Sequence, residues 1–235
     1  FVSINTVDQQ DIQVIHRVRE RLVRQKVALM NQIRGLILEY GIAFPKGKSS
    51  LEKNLPALIS SEQNELTAMS KVLFTELLGE LRLIQKKLAE YDRKIEAIHK
   101  AHPVCQRLAT IPGVGPLTAT ALVASIGDPK LFKNGRQLSA YMGLVPRQHS
   151  TGGKDRLLGI SKRGDSYIRK LLIHGARTVI QWVGEKEDPK SVWLRKLIER
   201  RGINRATVAL ANKNARVIWV LMAREENYRE NLKVA

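Results

Sequence analysis

Acidic side chains and cysteine are scarce in this sequence. The 235 residues contain 22 Asp and Glu against 40 Lys and Arg, which gives a formal net charge of +18. Such an excess does not define a fold, but it indicates a polyanionic partner. A generically basic surface is the alternative interpretation. The single cysteine, Cys105, excludes an internal disulfide and a cysteine-based zinc site.

Long apolar runs and clustered metal ligands are also missing. No run reaches the ~20 residues of a membrane-spanning helix, and no signal peptide is visible, so we expect a cytoplasmic protein without membrane contact. His99 and His102 are neighbours, but no third ligand is evident and we predict no metal site. Because the first residue is Phe1 rather than Met, we expect an N-terminal region to precede it.

Two long helices are predicted to form an arm over residues 7–102. Asp8 is placed to cap the first helix, which runs to about Tyr40, and Gly41 ends it. After a loop from residue 45 to residue 50, a second helix is predicted over residues 66–99. Its apolar residues follow a heptad pattern that is typical of a coiled coil. The heptad seam is predicted from Leu77 onwards, and the helically spaced apolar residues are Leu73, Leu77, Leu81, Ile84, Leu88, Tyr91, Ile95 and Ile98.

Helical spacing does not separate pairing within one chain from pairing between chains. We favour a hairpin of the two helices that also joins chains into a homo-oligomer, a dimer or a tetramer. Residues 1–6 alternate apolar and polar side chains and could form a short strand, the remnant of a preceding domain.

Residues 103–235 are predicted to form a compact helical domain. Helices are expected over residues 117–126, 135–142, 165–183, 191–201 and 204–223, and no strand is expected after residue 6. We expect Trp182, Trp193 and Trp219 to be core anchors. The predicted fold class is therefore all-α, with a long helical coiled-coil arm followed by a compact helical domain.

A glycine turn within residues 108–122 (LATIPGVGPLTATAL) resembles a helix-hairpin-helix element. Gly113 and Gly115 permit a tight turn directly before a helix. Outward backbone N–H groups and a helix N-terminus favour an anion, and a DNA phosphate is the natural ligand. Such contacts position a duplex without reading its sequence. The alternative is an ordinary glycine turn in a helical bundle.

Cations concentrate in the second half of the chain. Residues 101–235 carry a net charge of +14, against +4 for residues 1–100. Between Lys130 and Arg177 there are 11 Lys and Arg but only two acids. Within this stretch a helix is predicted to begin with a cap from Asp165 or Ser166, and its Arg169 can reach outward to DNA. A solvated basic face is the alternative for that helix.

The loop over residues 146–156 combines cations, glycines and hydroxyl groups. Ser150 and Thr151 stand beside His149, and a hydroxyl could attack a phosphoryl group that cations stabilise, with the histidine as a candidate base. Phosphate binding is the stronger expectation, because Ser/Thr-Gly-Gly is also common turn chemistry. The candidate phosphate-binding residues are Arg147, Lys154, Arg156, Lys162 and Arg163.

The order of these motifs resembles one family. Residues 111–115 (IPGVG), 143–147 (GLVPR) with 150–153 (STGG), and 160–165 (ISKRGD) are similar to the DEDD insertion-sequence transposases, also described as bridge-RNA-guided recombinases. The family includes the insertion sequence one-ten and eleven-eleven groups, and residues 209–216 (ALANKNAR) resemble the second group in particular. The resemblance spans nearly the whole chain.

The resemblance implies a RuvC-like domain with four metal-binding acids, then a coiled-coil arm, then a C-terminal transposase domain. We expect the first part to be absent from this sequence, so that Mg²⁺ binds outside it and no cofactor binds to this chain. The resemblance also implies a guide RNA and a serine nucleophile directly before a glycine. By position that residue is Thr151, whereas Ser150 offers the less hindered primary hydroxyl, and both stay candidates.

We therefore predict the C-terminal part of a DNA transposase or recombinase. It binds DNA and a guide RNA and contributes a hydroxyl to strand exchange during transposition of an insertion sequence. The fragment alone is expected to be inactive, and its expected location is the bacterial cytoplasm, at the nucleoid when DNA is bound. The alternative is a non-catalytic helix-hairpin-helix module that binds nucleic acid and has a dimerising arm.

Overall fold

The computed structural model describes residues 5–45, 48–62 and 65–229, without the side chains of residues 48–50 and 155. Within these residues the fold is predominantly helical with one two-stranded sheet, which confirms the mostly helical class. The α-helices are α1 (Val7–Leu38), α2 (Lys48–Ser60), α3 (Ala68–Ala101), α4 (Pro103–Ala109), α5 (Pro116–Ile126), α6 (Gly135–Tyr141), α7 (Ser166–Gln181), α8 (Pro189–Arg201) and α9 (Ile203–Ala223). The strands are β1 (Pro146–Thr151) and β2 (Lys154–Ile160).

The chain divides into two compact units. The arm unit comprises Val14–Lys94, and the main unit comprises the residues up to Gln13 and those from Ile95 onwards. The start of α1 belongs to the main unit because Gln9 Nε2 and Gln13 Nε2 donate to the backbone carbonyls of residues 123 and 124, at 3.2 and 2.8 Å. These carbonyls lie in the last turn of α5, where a helix leaves acceptors unpaired.

The strand predicted over residues 1–6 falls largely outside the described residues. Residues 1–4 are not described, and Asn5 and Thr6 form no strand. They lead directly into α1, where Thr6 Oγ1 accepts a hydrogen bond from the Gln9 backbone N–H at 3.3 Å.

In the arm unit α1 and α3 run antiparallel. The rings of Tyr40 and Phe74 meet edge to face at 6.1 Å, and Arg19 Nε lies 2.6 Å from Asp92 Oδ1. The segment just after α1 therefore meets the start of α3, and the first half of α1 meets the last part of α3, as in a hairpin within one chain. The core of this unit comprises Leu22, Leu29, Met30, Ile33, Ile37, Leu51, Leu55, Leu66, Phe74, Leu78, Leu81, Ile84 and Leu88.

The predicted seam of α3, which begins at Leu77, is largely buried. Its buried residues are Leu81, Ile84, Leu88 and Ile95, and its half-buried residues are Leu77, Tyr91 and Ile98. Near the start of the helix Phe74 and Leu78 take the buried positions, whereas Leu73 is 51% exposed. A helix has 3.6 residues per turn and drifts against a strict heptad, so the buried face shifts by one residue towards the start of the helix.

The prediction of a loop over residues 45–50 is wrong for residues 48–50, because α2 begins at Lys48. Leu51 and Leu55 of α2 are fully buried in the core that they share with residues of α1 and α3. Leu51 and Leu55 are four residues apart, about one helical turn, and this spacing is the sequence signal that indicates α2.

His16, in α1, is a buried histidine of the arm unit. Burial, and secondarily the Arg19 guanidinium, lower the pKa of His16 to about 4. In the unfolded chain the pKa returns to about 6.5, so between these values only the unfolded state takes up a proton. The free energy of unfolding is therefore expected to fall as the pH drops from 6.5 to 4, by about 3 kcal/mol in total.

Urea unfolding of the wild type and of His16→Gln between pH 7.5 and 4.5 measures this effect. The slope of the unfolding free energy against pH is expected to flatten in the variant, whatever its stability at pH 7.5. His149→Gln, which replaces an exposed histidine, is the matched control and should keep the wild-type slope. Parallel slopes in wild type and His16→Gln would disprove the assignment.

The main unit is built around α9, which contacts α4, α6, α7 and α8. Asn214 Nδ2 donates to the Pro112 carbonyl at 3.0 Å, and this bond ties α9 to the turn before α5. Trp219 Nε1 donates to the carbonyls of Pro129 and Phe132 at 3.1 and 3.0 Å. Trp219 and Trp193 pack against the core, as predicted. The same prediction is wrong for Trp182, which is 73% exposed at the C-terminal end of α7.

The prediction that no strand follows residue 6 is wrong, because β1 and β2 form an antiparallel hairpin. Every residue of β1 is exposed. A strand that buries neither face shows no alternation of apolar and polar residues, and this alternation is the main signal from which a strand is predicted.

Candidate nucleic-acid interface

The two-residue turn Gly152–Gly153 fixes the register of the β-hairpin. Both glycines have positive φ, 57° and 76°, as tight hairpin turns require. His149 pairs with Arg156, and Thr151 pairs with Lys154. Paired residues share a face of the sheet, and positions two apart along a strand share it too. One face of the hairpin therefore carries a histidine, a hydroxyl and two cations.

Ser150 belongs to the opposite face, together with Gln148 and its register partner Leu157. Gln148 Nε2 donates to Ser150 Oγ at 2.9 Å. The two candidate nucleophiles are neighbours in sequence but point to opposite sides of the sheet. Only Thr151 shares its face with His149.

The base of the hairpin is held by two glycines whose backbones approach closely. A Cβ atom on Gly143 would lie 2.2 Å from the Arg163 carbonyl oxygen, and a Cβ atom on Gly164 would lie 2.0 Å from the carbonyl oxygen of residue 141. Both glycines have positive φ, 70° and 71°. Backbone bonds from residues 161 and 162 to the carbonyls of 145 and 143, at 2.8 and 3.2 Å, close the same junction.

Arg169 contributes to this junction from α7. Its Nη1 donates to the carbonyl oxygens of Met142 and Arg163, at 3.3 and 2.7 Å. Asp165 caps the same helix and accepts from the backbone N–H groups of residues 167 and 168, at 2.7 and 3.3 Å, as predicted. The structure thus places Arg169 among backbone carbonyls, where it positions the segment that carries the other candidate cations.

The remaining candidate cations lie on the hairpin or within three residues of its end. All are exposed, and none of them forms an ion pair with a side chain that the structure describes. They are Arg147, Lys154, Arg156, Lys162 and Arg163. Exposed cations without carboxylate partners are available to an anionic ligand.

The two glycines of the predicted helix-hairpin-helix turn have different surroundings. Gly113 has φ 88°, and a Cβ there would lie 2.7 Å from the Gly175 carbonyl oxygen of α7. Gly113 is thus required by backbone packing. Gly115 is the N-cap residue of α5 with an ordinary φ of −95° and open space around it. Binding of a phosphate at this turn stays a prediction.

Among the residues that the structure describes, no three His, Cys, Asp or Glu side chains lie together as a possible metal site. Among the same residues, no helix is long and apolar enough to span a membrane. The described side chains do not form the acidic set that a divalent cation prefers.

The fold and the hairpin define a mostly helical protein with an exposed cationic surface. Residues 105–191, which include the glycine turn, the hairpin and α7, match the transposase IS116/IS110/IS902 family. The chain belongs to this family of transposases.

The relatives include the "Transposase for insertion sequence element IS1111A" of Coxiella burnetii. It is 50% identical over 229 residues, which cover 97% of this chain and 63% of that protein. The "Probable family 20 transposase" of Pseudomonas aeruginosa is 46% identical, over 97% of this chain and 68% of that protein. The "Transposase for insertion sequence element IS1328" of Yersinia enterocolitica is 38% identical, over 94% of this chain and 65% of that protein. The chain thus spans about two thirds of the length of these relatives.

Proposed function

We propose that this chain is the DNA-handling part of an insertion-sequence transposase, in which the β-hairpin and the segment after it bind the sugar-phosphate backbone. The observation that carries the proposal is a set of five exposed cations, at 147, 154, 156, 162 and 163. None of them pairs with a carboxylate that the structure describes. Phosphates are the anions that such a surface binds in a transposase. The family's guide RNA, which presents the same backbone chemistry, is a second expected ligand.

We also propose that the hairpin supplies the hydroxyl for strand exchange. Thr151 is favoured because its face carries His149 and Arg156, a base and a cation. Ser150 is the second candidate because it is a primary hydroxyl and accepts a hydrogen bond from Gln148. In this step the hydroxyl oxygen bonds to phosphorus, its proton passes to the base, and a deoxyribose oxygen leaves.

Any divalent metal that the reaction uses would bind to acids outside the described residues, because these contain no suitable group.

The arm unit supports a homo-oligomer, since large apolar side chains are exposed along both long helices. They are Val14, Val27, Leu36, Leu38, Met69, Val72, Leu73 and Leu83.

Charge reversal at Lys162 and Arg163 tests the binding part of the proposal. In gel shifts with unrelated duplexes, the double variant Lys162→Glu/Arg163→Glu is expected to bind every sequence about tenfold more weakly. The slope of log affinity against log salt should also fall by about two, because two phosphate contacts are lost.

The matched control is Lys86→Glu/Lys87→Glu, which reverses two adjacent exposed cations on α3 and changes the net charge equally. The control should retain nearly wild-type binding. An equal loss in both double variants would show that net charge alone governs binding and would contradict a specific interface at the hairpin.

A further inference from the structure

A groove lies between the β-hairpin and α9, within the main unit. Its volume is about 930 Å³, at the upper end of the roughly 300–1,000 Å³ that is usual for ligand sites. Its apolar lining includes Leu144, Pro146, Leu157, Ile160 and Val208. Leu157 is 67% exposed, so its apolar side chain is accessible to a ligand in the groove.

The charged residues that line the groove are both positive. They are Arg201 at the end of α8 and Arg205 at the start of α9, and among the side chains that the structure describes no carboxylate lines it. Both arginines are exposed. The occupant is therefore expected to combine negative charge with apolar surface, and an aliphatic peptide without acidic residues would leave the two guanidinium groups unused.

Two amide side chains add hydrogen-bonding groups to the lining. Asn212 Nδ2 donates to Ser139 Oγ and the Leu144 carbonyl, both at 3.3 Å, which leaves its carbonyl oxygen as an acceptor. Asn204 Oδ1 accepts from Arg177 Nη2 at 3.2 Å, which leaves its amide nitrogen as a donor. The two residues are two turns apart on α9, about 12 Å by helical rise, so each can form a hydrogen bond with a different nucleotide of one segment.

We propose that this groove binds an unpaired nucleotide segment. Its bases lie against the apolar lining residues, which form the floor of the groove, and its phosphates lie against Arg201 and Arg205. The bases of a duplex are stacked and cannot turn their faces to such a floor, whereas those of a single strand can. This proposal rests on the proposed nucleic-acid-binding function and names a second, strand-selective site for it. DNA and RNA present the same groups here, so the experiment includes both.

The test measures fluorescence anisotropy of the 235-residue chain with labelled single-stranded DNA, single-stranded RNA and a blunt DNA duplex. Arg201→Gln/Arg205→Gln is expected to weaken single-strand binding at least fivefold and to lower its salt slope by about two. Duplex binding should change less than twofold. Lys196→Gln/Arg200→Gln is the matched control, because it also removes two exposed cations and neither residue lines the groove.

The floor is tested separately from the charges. An abasic strand of equal length should bind to the wild type several-fold more weakly than the normal strand. Leu157→Ser should reduce that difference, whereas Leu131→Ser, a 53% exposed leucine outside the groove, should preserve it.

The outcomes separate this proposal from the one before it. If the groove variants bind single strands like the wild type while Lys162→Glu/Arg163→Glu still weakens duplex binding, only the groove proposal fails. If the wild-type chain binds neither single strands nor duplexes, the proposed function itself fails. Competition by poly-glutamate as strong as that by an oligonucleotide of equal charge would show a site for any polyanion and overturn the nucleotide assignment.

Discussion

Gly175→Ala is expected to destabilise the main unit by about 1–3 kcal/mol, although glycine to alanine inside a helix normally stabilises. Gly175 lies within α7, and a Cβ there would lie 1.8 Å from the Gly113 carbonyl oxygen. The obstacle is backbone rather than the end of a flexible side chain. The turn before α5 and the helix α7 would have to separate, and this separation would disturb the core between them.

The only cysteine provides a local measurement of this effect. Cys105 is fully buried in the core of the main unit, and burial raises the pKa of its thiol to about 12. The native thiol should therefore react slowly, and labelling at increasing urea concentration reports unfolding of this unit. In Gly175→Ala the labelling midpoint should move to a lower urea concentration.

The matched control is Gly79→Ala, in α3 of the arm unit. Nothing lies within 4 Å of a Cβ built at Gly79, and the residue is helical. This substitution should raise the stability of the arm unit by roughly 0.5–1 kcal/mol, because only the entropy of the unfolded chain changes. The measurement is circular dichroism during urea unfolding. If Gly175→Ala stabilised the main unit, as Gly79→Ala is expected to stabilise the arm unit, the close approach of residues 113 and 175 would be disproved.

Helices and their ends were well predicted where a local signal exists. The helix predicted over 165–183 is Ser166–Gln181, and the one predicted over 204–223 is Ile203–Ala223. Each begins at a residue that local chemistry marks, the capping carboxylate of Asp165 and the glycine at 202. Such signals need no knowledge of the rest of the fold.

The faces of the hairpin and the lining of the groove could not be predicted from local sequence signals. Cations and hydroxyls between residues 146 and 156 were visible in the sequence, but their faces depend on the register. A bulge between Pro146 and Gln148 and the Gly152–Gly153 turn define that register, and no apolar pattern reports it. The groove brings Leu157 to Arg201 and Arg205, more than forty residues apart in the chain, which only tertiary packing can do.

Thr151→Ala is expected to abolish a covalent link between protein and DNA, whereas Ser150→Ala is expected to retain it. Loss of a nucleophilic hydroxyl lowers the rate of a covalent step by roughly 10³-fold or more. The assay uses a transposase of full family length that contains these residues, and it detects the adduct by denaturing gel electrophoresis. Thr151→Ser should restore the adduct, because serine keeps the hydroxyl on the same face and is less hindered.

The experiment can distinguish the two hydroxyls because they lie on opposite faces of the hairpin. Thr151 lies on the face of His149 and Arg156, so His149→Gln should slow adduct formation without weakening duplex binding in gel shifts. Gln148→Ala removes the hydrogen bond to Ser150 and should change neither readout. Loss of the adduct in Ser150→Ala alone would assign the role to Ser150 and contradict the argument from shared faces. An adduct that persists in Ser150→Ala/Thr151→Ala would show that the nucleophile lies outside the hairpin. A wild type that forms no adduct would favour a non-catalytic nucleic-acid-binding module.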